Sequence, residues 1–217
     1  MSRVFVLVAV VAAAGIAIVS LRDRLSVSGE VLFQGRTKPP EAAPLCPWRE
    51  PEADLKAFFP KATRYQIESR ILSGLRTELG QRLGRTLTGD ENTLHLYLVF
   101  EEETKVGTIM TKRVKGEFGA IELVLATDVG DEVCGMRLQR LREPELVADA
   151  LTNPQWQHSF MGLTCESAWK LGQDIANVPV EASTSAQAVV DGAKSLVILL
   201  TVSGQSRSPA IVSRPHH

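Results

Sequence analysis

Residues 118–141 read FGAIELVLATDVGDEVCGMRLQRL, and the fold turns on them. Ile121, Leu123 and Leu125 recur at every second position, with Glu122 opposite, which is the period of a half-buried strand. Val133–Leu141 repeats the pattern: Met136, Leu138 and Leu141 on the apolar side, Arg137 and Gln139 outward, and Cys134 packing as a small apolar residue. Asp128-Val129-Gly130-Asp131 supplies the turn between them. The stretch is a β-hairpin spanning Phe118–Ala126 and Val133–Leu141.

Two further strands precede it. Leu94–Phe100 (LHLYLVF) and Val106–Thr111 alternate in the same way, joined by the acidic turn Glu101-Glu102-Glu103. Neighbouring carboxylates on an extended chain point to alternate sides, so they read as a solvated turn rather than a metal site. His95 reads as a strand histidine. Helices are expected around the strands. Leu55, Phe58 and Phe59 make one side of a short helix that Pro60 ends. Ile71, Leu75, Leu79 and Leu83, widened by Leu72, predict a helix over 68–83 that stops at Gly84, with Arg70, Arg76, Glu78 and Arg82 on its solvated faces. Glu145–Leu151 predicts another. Trp156, Phe160 and Leu163 fall on one helical face as core, with His158 on the polar side. Ala186–Val202 is a strongly apolar helix, interrupted by Asp191, Gly192 and Lys194, and reads as a packed central element. The class is α+β, an antiparallel sheet with packed helices.

The totals exclude several functions. The chain has 217 residues, 24 Lys+Arg, 25 Asp+Glu and a net charge of −1, so nothing draws it to nucleic acid. Cys46, Cys134 and Cys165 lie far apart with no CxxC, which leaves zinc ribbons and haem attachment unsupported and leaves open one disulfide or three thiols. There is no GxSxG, HExxH or Walker sequence, and no metal site is expected.

The N-terminus carries the uncharged run Val4–Val19, flanked by Arg3 and by Arg22, Asp23 and Arg24. Spanning a bilayer takes roughly 17–25 residues, and the run ends without a small-residue cleavage site, so it reads as a retained anchor rather than a signal peptide. The expected division is an anchor over 1–21, a Pro-rich tether over 22–50, a folded domain over 51–202 and a loose tail over 203–217. Within the tether, residues 30–35 (EVLFQG) match the recognition core of a picornaviral 3C protease, which is read as coincidence.

Just before the last helix stands Val180-Glu181-Ala182-Ser183-Thr184-Ser185. Three consecutive hydroxyls at a helix start are either an N-cap, accepting the free N–H groups of the first turn, or one wall of a phosphate site that uses the same N–H groups and the helix dipole.

The order of elements, with Phe59-Pro60-Lys61-Ala62, the hairpin IELVLATDVGDEVCGMRL, the corner at Pro144 and Leu146, Trp156 with Phe160 and Gly162, and Ala188-Val189-Val190, resembles the FMN-binding domain family. That family includes the G subunit of the Rnf electron-transport complex and the C subunit of the sodium-pumping NADH:quinone reductase. The resemblance covers residues 51–202 and extends to the anchor. It implies a membrane-anchored, extracytoplasmic (periplasmic) subunit of a redox complex, with other subunits and the membrane as partners. It also implies FMN joined through its phosphate to the hydroxyl of an S/T-G-A-T motif. Ser183 stands at the attachment position, followed by Thr184 and Ser185, and Glu143 and Leu146 stand at the flavin-facing corner, so these five are the candidate cofactor residues. The departures are as informative. Glu181 replaces the motif's glycine, Val180 its hydroxyl residue, and Arg142-Glu143-Pro144-Glu145-Leu146-Val147 replaces E-T-P-G-L-G. A carboxylate beside a phosphate repels it. The expectation is a subunit that keeps the fold as a structural element without covalent flavin. The alternatives are a redox carrier with FMN on Ser183, and a ligand-sensing or scaffold domain outside electron transfer. No catalytic residue is expected.

Overall fold

The computed structural model describes residues 29–32, 52–89 and 91–205. The anchor run, Cys46, most of the tether and residues 206–217 lie outside them. The described chain builds β1 (Gly29–Leu32), α1 (Glu52–Phe58), β2 (Arg64–Ile71), α2 (Arg76–Leu83), β3 (Thr93–Glu101), β4 (Thr104–Lys115), β5 (Ala120–Thr127), β6 (Val133–Leu141), α3 (Glu145–Thr152), α4 (Pro154–His158) and α5 (Ser183–Gln205). It is an α+β fold. Five long antiparallel strands run in sequence order, and the four-residue β1 adds to the β2 edge. β1 therefore lies within the stretch expected to be tether, where its backbone gives partners to an otherwise open strand edge.

The hairpin forms as expected, with Val124 opposite Arg137 and Leu125 opposite Met136. Asp128 organises its turn: Oδ1 accepts the N–H groups of Gly130 (2.8 Å) and Glu132 (3.0 Å). Two expectations within it fail. Phe118 is not in β5 but in the preceding turn, and Cys134 is exposed rather than packed.

The larger correction is the helix over 68–83. Residues 64–71 (RYQIESRI) form β2, paired with β3 along its whole length. A 3-10 turn at Ser73–Leu75 follows, and only Arg76–Leu83 is α-helical, ending at Gly84 as expected. The apolar spacing from Ile71 to Leu83 ran across three different elements, and Ile71 is in fact exposed. The polar residues of β2 are not a solvated face either. Arg70 pairs with Glu68 at 2.6 Å and reaches Ser203 and the Leu200 carbonyl of α5. Arg76 likewise ties down the loop ahead of β3, through Leu87 and Thr88 carbonyls and Asn92.

Helix α5 lies across one face of the sheet. Val189, Val190, Leu196, Val197, Leu199, Leu200 and Val202 are buried against Met110, Ile121, Leu123 and Leu125. Each such side chain contributes about 1.5–3 kcal/mol on burial, which makes α5 the chief source of the larger core. Asp191, Gly192 and Lys194 punctuate its apolar run while the helix continues through them. It is long and apolar enough to cross a bilayer, but most of it is buried inside the fold. Trp156 and Phe160 join this core edge to face, with ring centroids 5.1 Å apart. The other face carries a smaller core of Leu55, Tyr65, Val99, Ile109, Val124 and Ala126, closed by Phe58 and Phe59. α1 is held there by buried Asp54, which accepts from Arg137 (3.2 Å) and Gln139.

Candidate functional site

The connection between β4 and β5 is a tight turn, Gly116-Glu117-Phe118-Gly119, closed by the Gly116 N–H on the Gly119 carbonyl at 2.8 Å. Both glycines are closely approached by neighbours, Gly119 by backbone and Gly116 by the movable end of a side chain. A Cβ at 116 would strike the Glu143 carboxylate, and one at 119 the Arg142 carbonyl. The segment ahead of α3 is thus pressed against the turn. Glu143 accepts the N–H groups of Phe118 and Gly119 at 3.4 and 3.3 Å, which are long, weak bonds. From the other side, the Ser185 hydroxyl of α5 accepts the Glu117 N–H at 2.9 Å and is fully buried.

Glu143 and Ser185, far apart in sequence, therefore clasp one turn. Leu146 stands beside them on the first turn of α3, and Ser183 and Thr184 at the start of α5. All five candidate residues meet at one end of the sheet. The hydroxyls do not cap α5, because a 3-10 turn at Val180–Ala182 leads into it and supplies its own backbone bonds, the Ala182 N–H reaching the Pro179 carbonyl at 2.9 Å. Ser183 donates to the Val180 carbonyl at 2.7 Å. Thr184 is exposed.

Glu117, Glu145 and Glu181 are all exposed around this junction, with Glu143 half-buried within it. A phosphate ester on Ser183 would stand two residues from the Glu181 carboxylate, the Ser183 hydroxyl is already bonded to Val180, and the N–H groups of the turn already have acceptors. The residues present do not fit a phosphate-linked flavin.

No protein-family model matches this sequence, and no curated protein does either. The likeness to FMN-binding domains rests on the residues that carry it.

Beside the junction is an open cleft of about 370 Å³, lined by Leu146, Asp149, Ala150, Trp156, Val178 and Pro179 among others. Asn153 shapes its edge by capping α4, its Oδ1 accepting from Gln155 at 2.8 Å. Trp156 is buried, and its indole N–H has no acceptor among the described residues. Phe118, Leu146 and Val180 are each more than half exposed, at 60, 59 and 79 %. Sequence reasoning placed Phe118 in the strand and read Val180 only as a departure from the attachment motif, so neither was singled out as an exposed apolar group. The signal for Phe118 was present: an aromatic between two glycines at a hairpin tip has no strand face to hide in.

Elsewhere the reactive groups are quiet. Cys134 has its thiol pushed up to about 11, by partial burial and then by the Asp128 carboxylate, and burial with Glu166 raises that of Cys165. Neither is an activated nucleophile. His95 lies on the exposed surface of β3, 2.9 Å from the Ser69 hydroxyl. Among the described residues no group of three or more His, Cys, Asp or Glu is placed to hold a metal ion.

Proposed function

We propose that the protein is a membrane-anchored, extracytoplasmic subunit of an electron-transfer complex, resembling FMN-binding subunits but serving as a structural element without covalent flavin. The observation that carries this reading is the junction at the start of α5. The positions at which the resemblance implies flavin attachment lie together there, yet they are spent on holding the protein's own turns. The Ser183 hydroxyl donates to Val180, Ser185 anchors Glu117, and Glu143 accepts the N–H groups of Phe118 and Gly119. Four carboxylates around them oppose a phosphate.

The test is an intact mass and a visible spectrum of the full chain purified from its native membrane in mild detergent. The expected result is an unmodified mass and a colourless protein that co-purifies with fixed partners. A mass excess of one FMN, with flavin absorbance that survives denaturation, would refute the structural reading and make Ser183 or Thr184 the attachment point of a redox carrier.

A further inference from the structure

We propose that the cleft between α3 and the 3-10 turn Val180–Ala182, extended by Phe118 and Val180, is a docking surface for another protein chain. Its occupant is a segment with apolar side chains flanked by Lys or Arg. Three of the five large hydrophobic side chains left exposed among the described residues gather at this one end of the sheet: Phe118, Leu146 and Val180. They come from three segments that the fold brings together through the Glu117–Ser185 and Phe118–Glu143 bonds. Scattered single hydrophobics on a surface are ordinary, whereas a cluster beside an apolar cleft marks a place of contact.

The charges around it define the occupant. Glu117, Glu145, Asp149 and Glu181 are exposed around the patch. Arg142, exposed beside Gly119, brings one basic group to the turn and is outnumbered by these four carboxylates, while Lys115 is turned to the opposite face. Strand alternation sets it against Val114, which packs toward Gly192 of α5. An apolar centre within an acidic rim selects a partner with an apolar anchor and basic flanks, because mismatched like charges cost affinity and slow encounter. The same rim disfavours the anionic headgroups of a bilayer surface. The inference names the contact through which the structural subunit would hold its neighbour, and so rests on the reading above.

The test uses the full chain in zwitterionic nanodiscs and two labelled synthetic peptides: an amphipathic helix of leucine and lysine, and its twin with glutamate for every lysine. Binding is read by anisotropy against empty nanodiscs. The lysine peptide is expected to bind at least about tenfold more tightly than its twin. Leu146→Gln and Val180→Gln should each weaken it about fivefold, while Val129→Gln, equally exposed at the opposite end of the sheet, leaves it unchanged. Replacing Asp149 and Glu181 together by lysine should reverse the preference. All these side chains are exposed, and a thermal melt verifies that each variant is folded. Equal binding of the two peptides, or equal loss with Val129→Gln, overturns the proposal. So does a Leu146- and Val180-dependent attachment to protein-free anionic vesicles, which would make the surface a lipid contact. A flavin found on Ser183 would sink the structural reading and leave the peptide result standing, so the two failures are distinguishable.

Discussion

Replacing Glu91 by glutamine should loosen the attachment of the loop between α2 and β3, and the cost should depend on pH. The Glu91 carboxylate accepts both guanidinium nitrogens of Arg85 at 2.7 Å, the Lys112 ammonium at 3.0 Å, and the Thr88 N–H and hydroxyl at 3.0 and 3.1 Å. Lys112 also reaches buried Ser195 in α5, so this carboxylate links loop, sheet and helix. Arg85 is half exposed, and its pair is worth at most about 1 kcal/mol. Lys112 is mostly covered, and a charge-assisted bond there is worth about 1.5–3 kcal/mol. The expected loss at pH 7 is therefore about 2–3 kcal/mol. The Arg85 guanidinium, opposed by burial and helped by Thr88 and Lys112, holds the Glu91 carboxyl well below the usual carboxylate range. A depressed carboxyl gives stability that is fully present above its unfolded value of about 4.3 and is lost as pH falls below it, at about 1.4 kcal/mol per unit. At pH 3 the unsubstituted protein should have surrendered about 1.8 kcal/mol of that advantage. The gap to the variant should then close to about 1 kcal/mol or less. Urea unfolding of both proteins at pH 7 and pH 3, followed by tryptophan fluorescence, measures it, and the other carboxylates cancel in the difference. A gap that is the same at both pH values, or below about 0.5 kcal/mol at pH 7, would refute the reasoning.

Thr108 and Thr127 face each other across β4 and β5, fully buried, with hydroxyls that have no partner among the described residues. Thr127→Val should stabilise by about 1 kcal/mol in a denaturant titration, and destabilisation would mean the hydroxyl is satisfied by water. Gly107→Ala would drive a methyl into the Phe59 ring and the Thr127 carbonyl, and since a strand backbone cannot yield, a loss of about 2 kcal/mol or more in the same titration is expected. Asp54→Ala strips Arg137 and Gln139 of their shared acceptor. Hydrogen exchange should then speed up in α1 and at Phe58 and Phe59 while α5 stays protected. Ser185→Ala leaves the Glu117 N–H without its acceptor, a loss of about 1–2 kcal/mol by melt, with faster exchange confined to residues 116–119.

How far the sequence could be read depended on whether the signal was local. The hairpin over 118–141 and the helix after Ala186 were legible, because alternation within a strand and a long apolar run are written in consecutive residues. β2 was not. Its inward polar residues are charged, and only the fold reveals that Glu68 neutralises Arg70 and that Ser203 of α5 receives it. Read alone, those charges looked solvated, and the leucines that follow lent a false helical period. Cys134 was misjudged because a bulge in the register between β5 and β6, near Thr127, sets which side the start of β6 shows. The site was half legible: a resemblance singled out Glu143, Leu146 and Ser183–Ser185, but nothing local could have shown that Ser185 serves the Glu117 turn.

That last bond bears on whether the corner and the start of α5 could accept a phosphate. A glycine at 181 or 145 would leave backbone N–H groups open to a phosphate; here Glu143 bonds the exposed amides of the hairpin tip and Ser185 the one before it. With those amides bonded within the protein, an anion there would have to displace Glu143 or Ser185 from them. Glu181→Gly with Glu145→Gly, expressed with a flavin transferase, should not load flavin while Ser185 and Glu143 still hold the turn, and mass spectrometry of the residue 183 peptide would reveal otherwise.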